Sequence, residues 1–144
     1  MKKLVLVASL ALAGCGTLSA LNLPESSGSY VSPEVGPESG MIAKDMVAFL
    51  ASQLPAAKTT LSLAPTNTQF HQDFVDELKR RGFGVSEGVP VQDSVEVYYA
   101  VSLLDRGVVV RMSFQGKEAT RFYVRSGGEF ALGGRYALRE ATNE

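Results

Sequence analysis

Two residue types that often perform chemistry occur only once each in this chain of 144 residues, Cys15 and His71. A cysteine thiolate can be alkylated or can bind a metal ion, and an imidazole can transfer protons near neutral pH. One histidine and one cysteine are too few for a zinc site or for a catalytic triad. We therefore expect no enzyme activity, no metal, no cofactor and no small-molecule substrate.

The surroundings of Cys15 indicate a different use for its thiolate. The tetrapeptide Leu12-Ala13-Gly14-Cys15 follows Lys2, Lys3 and a short apolar run, which together have the charged, apolar and small-residue regions of a signal peptide. The run is shorter than the roughly 20 apolar residues that span a bilayer. The pattern resembles a bacterial lipoprotein processing site, and the alternative is an ordinary secretory signal in which the cysteine is a coincidence.

A lipoprotein signal predicts where the mature chain resides. Residues 1–14 would be removed, and Cys15 would carry a diacylglyceryl thioether on its sulfur and an acyl chain such as palmitate on its freed amine. Two or more chains anchor a protein stably, because each buried methylene contributes about 0.8 kcal/mol. Gly16 follows the cysteine. Bacterial lipoproteins with aspartate at this position resemble the class that is retained at the inner membrane, so glycine favours the outer membrane. We expect an outer-membrane lipoprotein whose globular domain faces the periplasm.

The composition of the mature chain restricts its partners. Removing Lys2 and Lys3 from the 14 basic residues leaves 12 against 15 acidic residues, a net charge of about −3. This balance excludes a strongly basic nucleic-acid binder. Without another cysteine, the domain has no disulfide and depends on packing alone.

Residues 15–40 are predicted to be a lipidated amino terminus and a flexible tether. From Pro24 onward the segment is rich in Pro, Ser, Gly and Glu, and it cannot bury enough apolar surface to offset its backbone entropy. Its prolines favour an extended polyproline II spacer. Tyr30 and Val31 are isolated apolar residues, so the segment is either a plain spacer or one that orders on a partner and inserts these two side chains.

Two helices are predicted in a globular domain over residues 41–140. The first has an apolar face and ends before Pro55, with Ser39 as its N-cap. The second has a Thr66, Asn67 or Thr68 cap and ends at Gly82, with three basic residues in its last turn. Their apolar faces consist of Ile42, Met46, Phe49, Leu50 and Leu54 in the first helix and of Phe70, Phe74, Val75 and Leu78 in the second. His71 is offset from the second stripe, and we expect it to be a solvated helix residue.

Strands are predicted from periods of two in the remaining sequence. Residues 59–63 are a strand between the helices, and residues 84–88 are a short strand and turn. Four further strands then form a meander, with turns at Asp105-Arg106-Gly107 and Gln115-Gly116 and a last strand from about Phe130 to Leu138. Apart from the short strand, the order is α-β-α-β-β-β-β. It predicts an α+β fold with two helices on one face of a mainly antiparallel sheet.

One surface of this sheet has the residue types of a binding site. The alternation predicts that Thr120, Phe122 and Val124 face the helices, and that the opposite face is basic and aromatic. That face would contain Tyr98, Arg111, Arg121, Tyr123 and Arg125. It could be a solvated face whose charges prevent edge pairing, a docking surface for protein, or a stacking platform for nucleic acid. An RNA-recognition consensus is absent, and export disfavours direct nucleic-acid binding.

The motifs from the first predicted strand through the second helix to Val85 resemble the TrbH family of conjugal transfer proteins. The likeness rests on Lys58-Thr59-Thr60-Leu61-Ser62-Leu63-Ala64-Pro65, on Phe70, on the helix from Phe74 to Arg81, and on Gly82-Phe83 and Val85. It covers the signal and the domain from about residue 41. The resemblance implies an outer-membrane lipoprotein of a mating-pair formation apparatus, a type IV secretion system, with protein partners in an outer-membrane core complex. Cys15 is then the lipid site, and the tether lies against a larger channel-forming subunit.

A second interpretation keeps the outer-membrane location but assigns the protein to a different cell-envelope complex. Other outer-membrane lipoproteins with a similar α/β domain activate peptidoglycan synthases or assist the export of surface organelles, and fold analogy cannot separate them. Conjugation genes on both sides would favour the first interpretation, and cell-wall genes the second. An enzyme is the third class, and an acidic or histidine cluster shared among homologues would support it.

Overall fold

The computed structural model describes residues 28–141, which form two helices and eight strands. The helices are α1 (Gly40–Gln53) and α2 (Gln69–Arg81), and short 3-10 helices occupy Pro37–Ser39 and Ala56–Lys58. The strands are β1 (Tyr30–Val31), β2 (Thr60–Leu63), β3 (Gly84–Glu87), β4 (Val95–Leu104), β5 (Gly107–Phe114), β6 (Lys117–Ser126), β7 (Glu129–Leu132) and β8 (Ala137–Glu140). Cys15 and the predicted signal peptide lie outside the described residues. No helix of residues 28–141 has the length and apolarity needed to cross a membrane.

The sequence correctly predicts the caps at both termini of α2, whereas the start of α1 differs from the prediction. The Thr68 hydroxyl accepts the backbone N–H of His71 at 3.2 Å, which caps α2 at the last of its three candidate residues. Gly82 ends α2 in the left-handed region with φ at 103°. Ser39 precedes α1 but makes no side-chain cap, because the 3-10 helix Pro37–Ser39 leads directly into α1. The two helices pack against each other and cover one face of the sheet.

The sheet is mixed, and the prediction of a mainly antiparallel sheet is wrong. Its order is β3-β2-β4-β5-β6-β7, with β1 beside β4 and β8 beside β6. β4 through β8 pair antiparallel, as the meander predicts, whereas β2 pairs parallel with both β3 and β4, and β1 pairs parallel with β4. β2 and β3 are parallel because α2 returns the chain to the same end of the sheet from which β2 started.

The globular domain begins earlier than residue 41. Tyr30 and Val31, predicted to lie in the flexible tether, pair with Ala100 and Val101 of β4. The Ser29 hydroxyl accepts the Tyr99 N–H at 3.2 Å, and Val31 is 7% exposed in the core. Composition could not indicate this strand, because it has only two residues and depends on the half of the β4 edge that β2 leaves unoccupied.

Two further strand predictions are wrong. The expected last strand from Phe130 to Leu138 is divided into β7 and β8, and Gly133 and Gly134 lie between them. In β6, Ala119, Arg121 and Tyr123 lie opposite Met112, Val110 and Val108, which are buried in the core. Phe122 therefore lies on the uncovered face, and the phase of β6 is the reverse of the predicted one. A shift of one residue exchanges the two faces of a strand.

Candidate functional site

A carboxylate on α1 organises polar side chains on the helix-covered face. Asp45 accepts two hydrogen bonds from Arg121 Nη1, at 3.1 and 2.9 Å, and one from the Tyr123 hydroxyl at 2.6 Å. The Tyr136 hydroxyl lies 2.9 Å from that of Tyr123. The Tyr136 ring stacks on Phe49 with centroids 4.1 Å apart, and the Arg121 guanidinium lies 4.9 Å from the Tyr136 centroid. We call Asp45, Arg121, Tyr123 and Tyr136 the Asp45 cluster.

Burial determines the chemistry of the Asp45 cluster. Desolvation is the main cause of the raised pKa values of Tyr123 and Tyr136, and the nearby negative charge of Asp45 raises both further. Both phenols therefore stay neutral and act as hydrogen-bond donors. Arg121 Nε is buried and has no hydrogen-bond partner among residues 28–141. The cluster joins α1 to β6 and to the segment before β8, which is a structural role.

A second polar group lies under α2. His71 is 4% exposed, so the expectation of a solvated helix residue is wrong. Its Nε2 lies 2.7 Å from Glu87 Oε1 and its Nδ1 lies 2.5 Å from the Tyr99 hydroxyl. A carboxylate only accepts, so Nε2 donates to Glu87, and a neutral imidazole then accepts the Tyr99 hydrogen at Nδ1. We call these three residues the His71 cluster.

The His71 cluster has the parts of a proton relay, and its two rings are buried. Burial raises the pKa of Tyr99 to about 12, and the charge of Glu87 adds to that rise. His71 and Tyr99 are 4% and 2% exposed, so both rings of the cluster are closed off from solvent. Within residues 28–141, no three His, Cys, Asp or Glu side chains are arranged to hold a metal ion. The cluster therefore ties α2 to β3 and β4.

The face of the sheet away from the helices carries a different set of residues. We call this surface the open face. The strand registers put the following residues on it: Tyr30, Tyr98, Arg111, Glu118, Phe122 and Arg139. Arg139 donates to Glu118 at 2.7 Å, and Arg111 approaches the same carboxylate at 3.8 Å. The Arg111 and Arg139 side chains remain 54% and 73% exposed, so this face is available for contact.

The predicted partner-binding residues do not share one surface. Tyr30, 52% exposed, and Arg111, 54% exposed at its side chain, lie on the open face beside the half-buried Tyr98. Val31, Arg121 and Tyr123 are on the helix-covered side. Arg125 lies at the rim of that side, 3.0 Å from Glu38 and over the Phe130 ring at 5.0 Å. The stacking platform for nucleic acid is therefore not assembled in the described part of the chain.

Two signals in the sequence could have located these clusters. Asp45 occurs at helical spacing within the apolar stripe of α1, between Ile42 and Phe49, where a carboxylate requires a buried partner. His71 is spaced three, four and seven residues from Phe74, Val75 and Leu78, so it belongs to a buried face of α2. Neither signal names the partner, since Arg121 and Glu87 are distant along the chain.

The fold and its polar clusters define a class of protein before any comparison. It is an α+β domain in which polar clusters join the helices to the strands, and in residues 28–141 one face of its sheet is left uncovered. The family model of the conjugal transfer protein TrbH matches residues 24–140, so the chain belongs to the TrbH family. No curated protein and no solved structure matches the chain.

Proposed function

We propose that the chain is an outer-membrane lipoprotein of a conjugative type IV secretion apparatus, with a structural or assembly role in mating-pair formation. Membership of the TrbH family implies a role in conjugal transfer, and this observation carries the proposal. The lipoprotein address depends on the residues around Cys15. The proposed partners are the membrane, through lipid on Cys15, and protein subunits of an outer-membrane core complex.

The position of Gly28 limits how far the domain can lie from a lipid on Cys15. Gly28 lines a small cavity with Tyr98, Ala100 and Arg111, so the described chain begins at the open face. About 13 residues separate Cys15 from Gly28, and they span at most about 45 Å when fully extended. A tether reaching residue 40 would span roughly twice that distance. A lipid on Cys15 would therefore keep Gly28, at the open face, within about 45 Å of the membrane.

The open face is the proposed docking surface for a partner subunit. In residues 28–141 both helices pack on the opposite face, so the open face has no covering element of its own. Its tyrosines, Tyr30 and Tyr98, accompany Arg111, and Tyr and Arg are enriched where protein partners bind. A subunit positioned near the membrane could pack on this face without disturbing the helices.

The membrane address is tested by substituting the proposed lipid site. Cys15→Ser removes the thiolate that is alkylated, so the protein should keep its signal, lack the lipid mass and disappear from outer-membrane fractions. Mass spectrometry and fractionation measure these outcomes, and Thr17→Ser is the matched control. Gly16→Asp should shift the lipidated protein toward the inner membrane.

Donor cells that carry the Cys15→Ser chain should transfer the plasmid at least tenfold less often than donors with the Thr17→Ser chain. Unchanged outer-membrane fractionation and unchanged mass would contradict the lipoprotein assignment. Normal lipidation of the wild-type chain, together with full plasmid transfer from donors in which its gene is deleted, would contradict the conjugation role instead.

A further inference from the structure

β7 is an edge strand of four residues that carries no lysine, proline or bulge. It pairs with β6, and no strand within residues 28–141 lies on its other side. Natural edge strands commonly carry lysine, proline or a bulge that prevents pairing with another chain. Residues 129–134 are Glu-Phe-Ala-Leu-Gly-Gly, with one charge and no proline. Such an edge can accept a further strand.

The ladder between β6 and β7 identifies which backbone groups point outward. The Gly133 N–H donates to the Phe122 carbonyl at 2.9 Å, so these opposite residues form a hydrogen-bonded pair. Bonded and non-bonded pairs alternate in an antiparallel ladder, and Leu132 opposite Tyr123 and Phe130 opposite Arg125 are therefore non-bonded. The N–H and C=O groups of Phe130 and Leu132 thus point away from β6.

An apolar groove lies along the same edge. It has a volume of about 500 Å³ and is bounded by β7 and one side of α1, with Met41, Lys44, Asp45, Ala48 and residues 130–132 as its lining. Leu132 is 53% exposed there, although it lies on the helix side of the sheet. A strand added at this edge would cover Leu132 and place its own apolar side chains in the groove.

We propose that the occupant of this edge is β7 of a second copy of the chain, paired antiparallel about a two-fold axis at Ala131. The outward groups of Phe130 and Leu132 are symmetric about Ala131, so each residue bonds the other residue of the partner strand. This register joins the two sheets into one. It depends on the edge alone and not on the conjugation role.

The single charge of β7 is compatible with this self-pairing. In the register about Ala131, Glu129 lies opposite Gly133 of the second copy, so no like charges meet along the strands. Two β7 strands can therefore pair in this register without electrostatic repulsion between their own side chains.

A cysteine at the symmetry axis tests the register. Cys15→Ser with Ala131→Cys leaves one thiol per chain, and two Ala131 positions in a non-bonded pair would have Cα atoms about 4.5 Å apart, within disulfide range. Under mild oxidation the full-length chain should form a reducible dimer at least tenfold faster than the Ala137→Cys control on β8. Equal rates for the two cysteines would overturn the proposal.

A backbone variant separates strand pairing from chance collision. Leu132→Pro removes only the outward N–H, because the inward ladder bonds belong to Ala131 and Gly133. Added to Ala131→Cys, it should slow disulfide formation at least tenfold, whereas Leu132→Thr, which retains the N–H, should slow it less. An unchanged rate in a proline variant that still melts cooperatively would refute strand pairing.

Cross-linking in cells distinguishes a second copy from another occupant. If Ala131→Cys in the full-length chain is captured by a different envelope protein and forms no homodimer, the edge serves that partner and self-pairing is wrong. The comparison of Ala131→Cys with Ala137→Cys remains decisive even if the proline variant does not fold. A Cys15→Ser phenotype in conjugation is independent of all these outcomes.

Discussion

Arg111 and Arg121 lie on the neighbouring strands β5 and β6, yet the two faces of the sheet put them in opposite environments. The Arg121 side chain is 13% exposed and makes two hydrogen bonds to Asp45. The Arg111 side chain is 54% exposed and approaches Glu118 at 3.8 Å. One arginine is part of the domain interior, and the other is available to a partner.

The contrast teaches that residue type alone does not identify a binding surface. A buried ion pair is costly to break, because the remaining charge is left without solvent. An exposed pair contributes little to folding, because water already solvates both partners. Substitutions on the helix-covered face should therefore change stability, and those on the open face should change binding.

The largest expected effect is at the Asp45 cluster. Arg121→Met leaves the Asp45 carboxylate mostly buried without its cation, and we expect a loss of about 3 kcal/mol in the free energy of unfolding. Chemical denaturation followed by circular dichroism measures it. The double variant Asp45→Leu with Arg121→Met should recover most of the loss, since no lone charge remains. A loss no larger than that of Arg111→Met would abolish the contrast between the faces.

A smaller effect is expected from alkaline titration of the His71 cluster. The pKa of Tyr99 is about 12 in the folded chain and 10.0 as its ordinary value. Above pH 10 the unfolded chain releases this proton while the folded chain retains it, so stability falls as the pH rises from 10 toward 12.

Tyr99→Phe removes this contribution, and its unfolding free energy should fall less between pH 9 and pH 11 than that of the wild type, by about 1 kcal/mol. The buried Tyr123 contributes a loss of its own, which the variant retains. Tyr30→Phe, at an exposed residue, is the matched control. If the unfolding free energies of Tyr99→Phe and the wild type fell equally between pH 9 and pH 11, the assignment of this loss to Tyr99 would be refuted.

The smallest effect on stability is expected on the open face. Arg111→Glu with Arg139→Glu reverses two exposed charges and should change the unfolding free energy by about 0.5 kcal/mol per site or less. Donor cells with this chain should nevertheless conjugate at least tenfold less often, because a partner meets the reversed charge. Arg80→Glu, on the exposed side of α2, is the control. A wild-type conjugation frequency for the double variant would contradict the proposal that the open face is the docking surface.

The sequence predicted much of the fold because its local signals agree with tertiary packing. The Gly82 cap, the Thr68 cap and the turns near Asp105 and Gln115 follow from local backbone chemistry and are confirmed. TrbH membership, suggested by motifs around β2 and α2, is also confirmed. The lipid on Cys15 and the outer-membrane address stay predictions.

The failures concern residues whose environment depends on a distant partner. The sequence predicts that Arg121 and Tyr123 lie on an exposed strand face. In the structure they are buried because Asp45, 76 residues from Arg121, lies over them. Val31 reads as part of a tether until β4 supplies its ladder. His71 reads as solvated until Glu87 and Tyr99 close over it.

The sequence by itself determined the helices, the turns, the family and the shortage of catalytic groups, because these depend on neighbours within a few residues or on composition. Only the tertiary structure decided which face of β6 meets α1, where the domain begins, and which edge of the sheet is exposed. Strand phase and strand pairing are set by contacts between distant residues, since either phase of an alternating strand is acceptable until the opposing helix supplies apolar surface and countercharge.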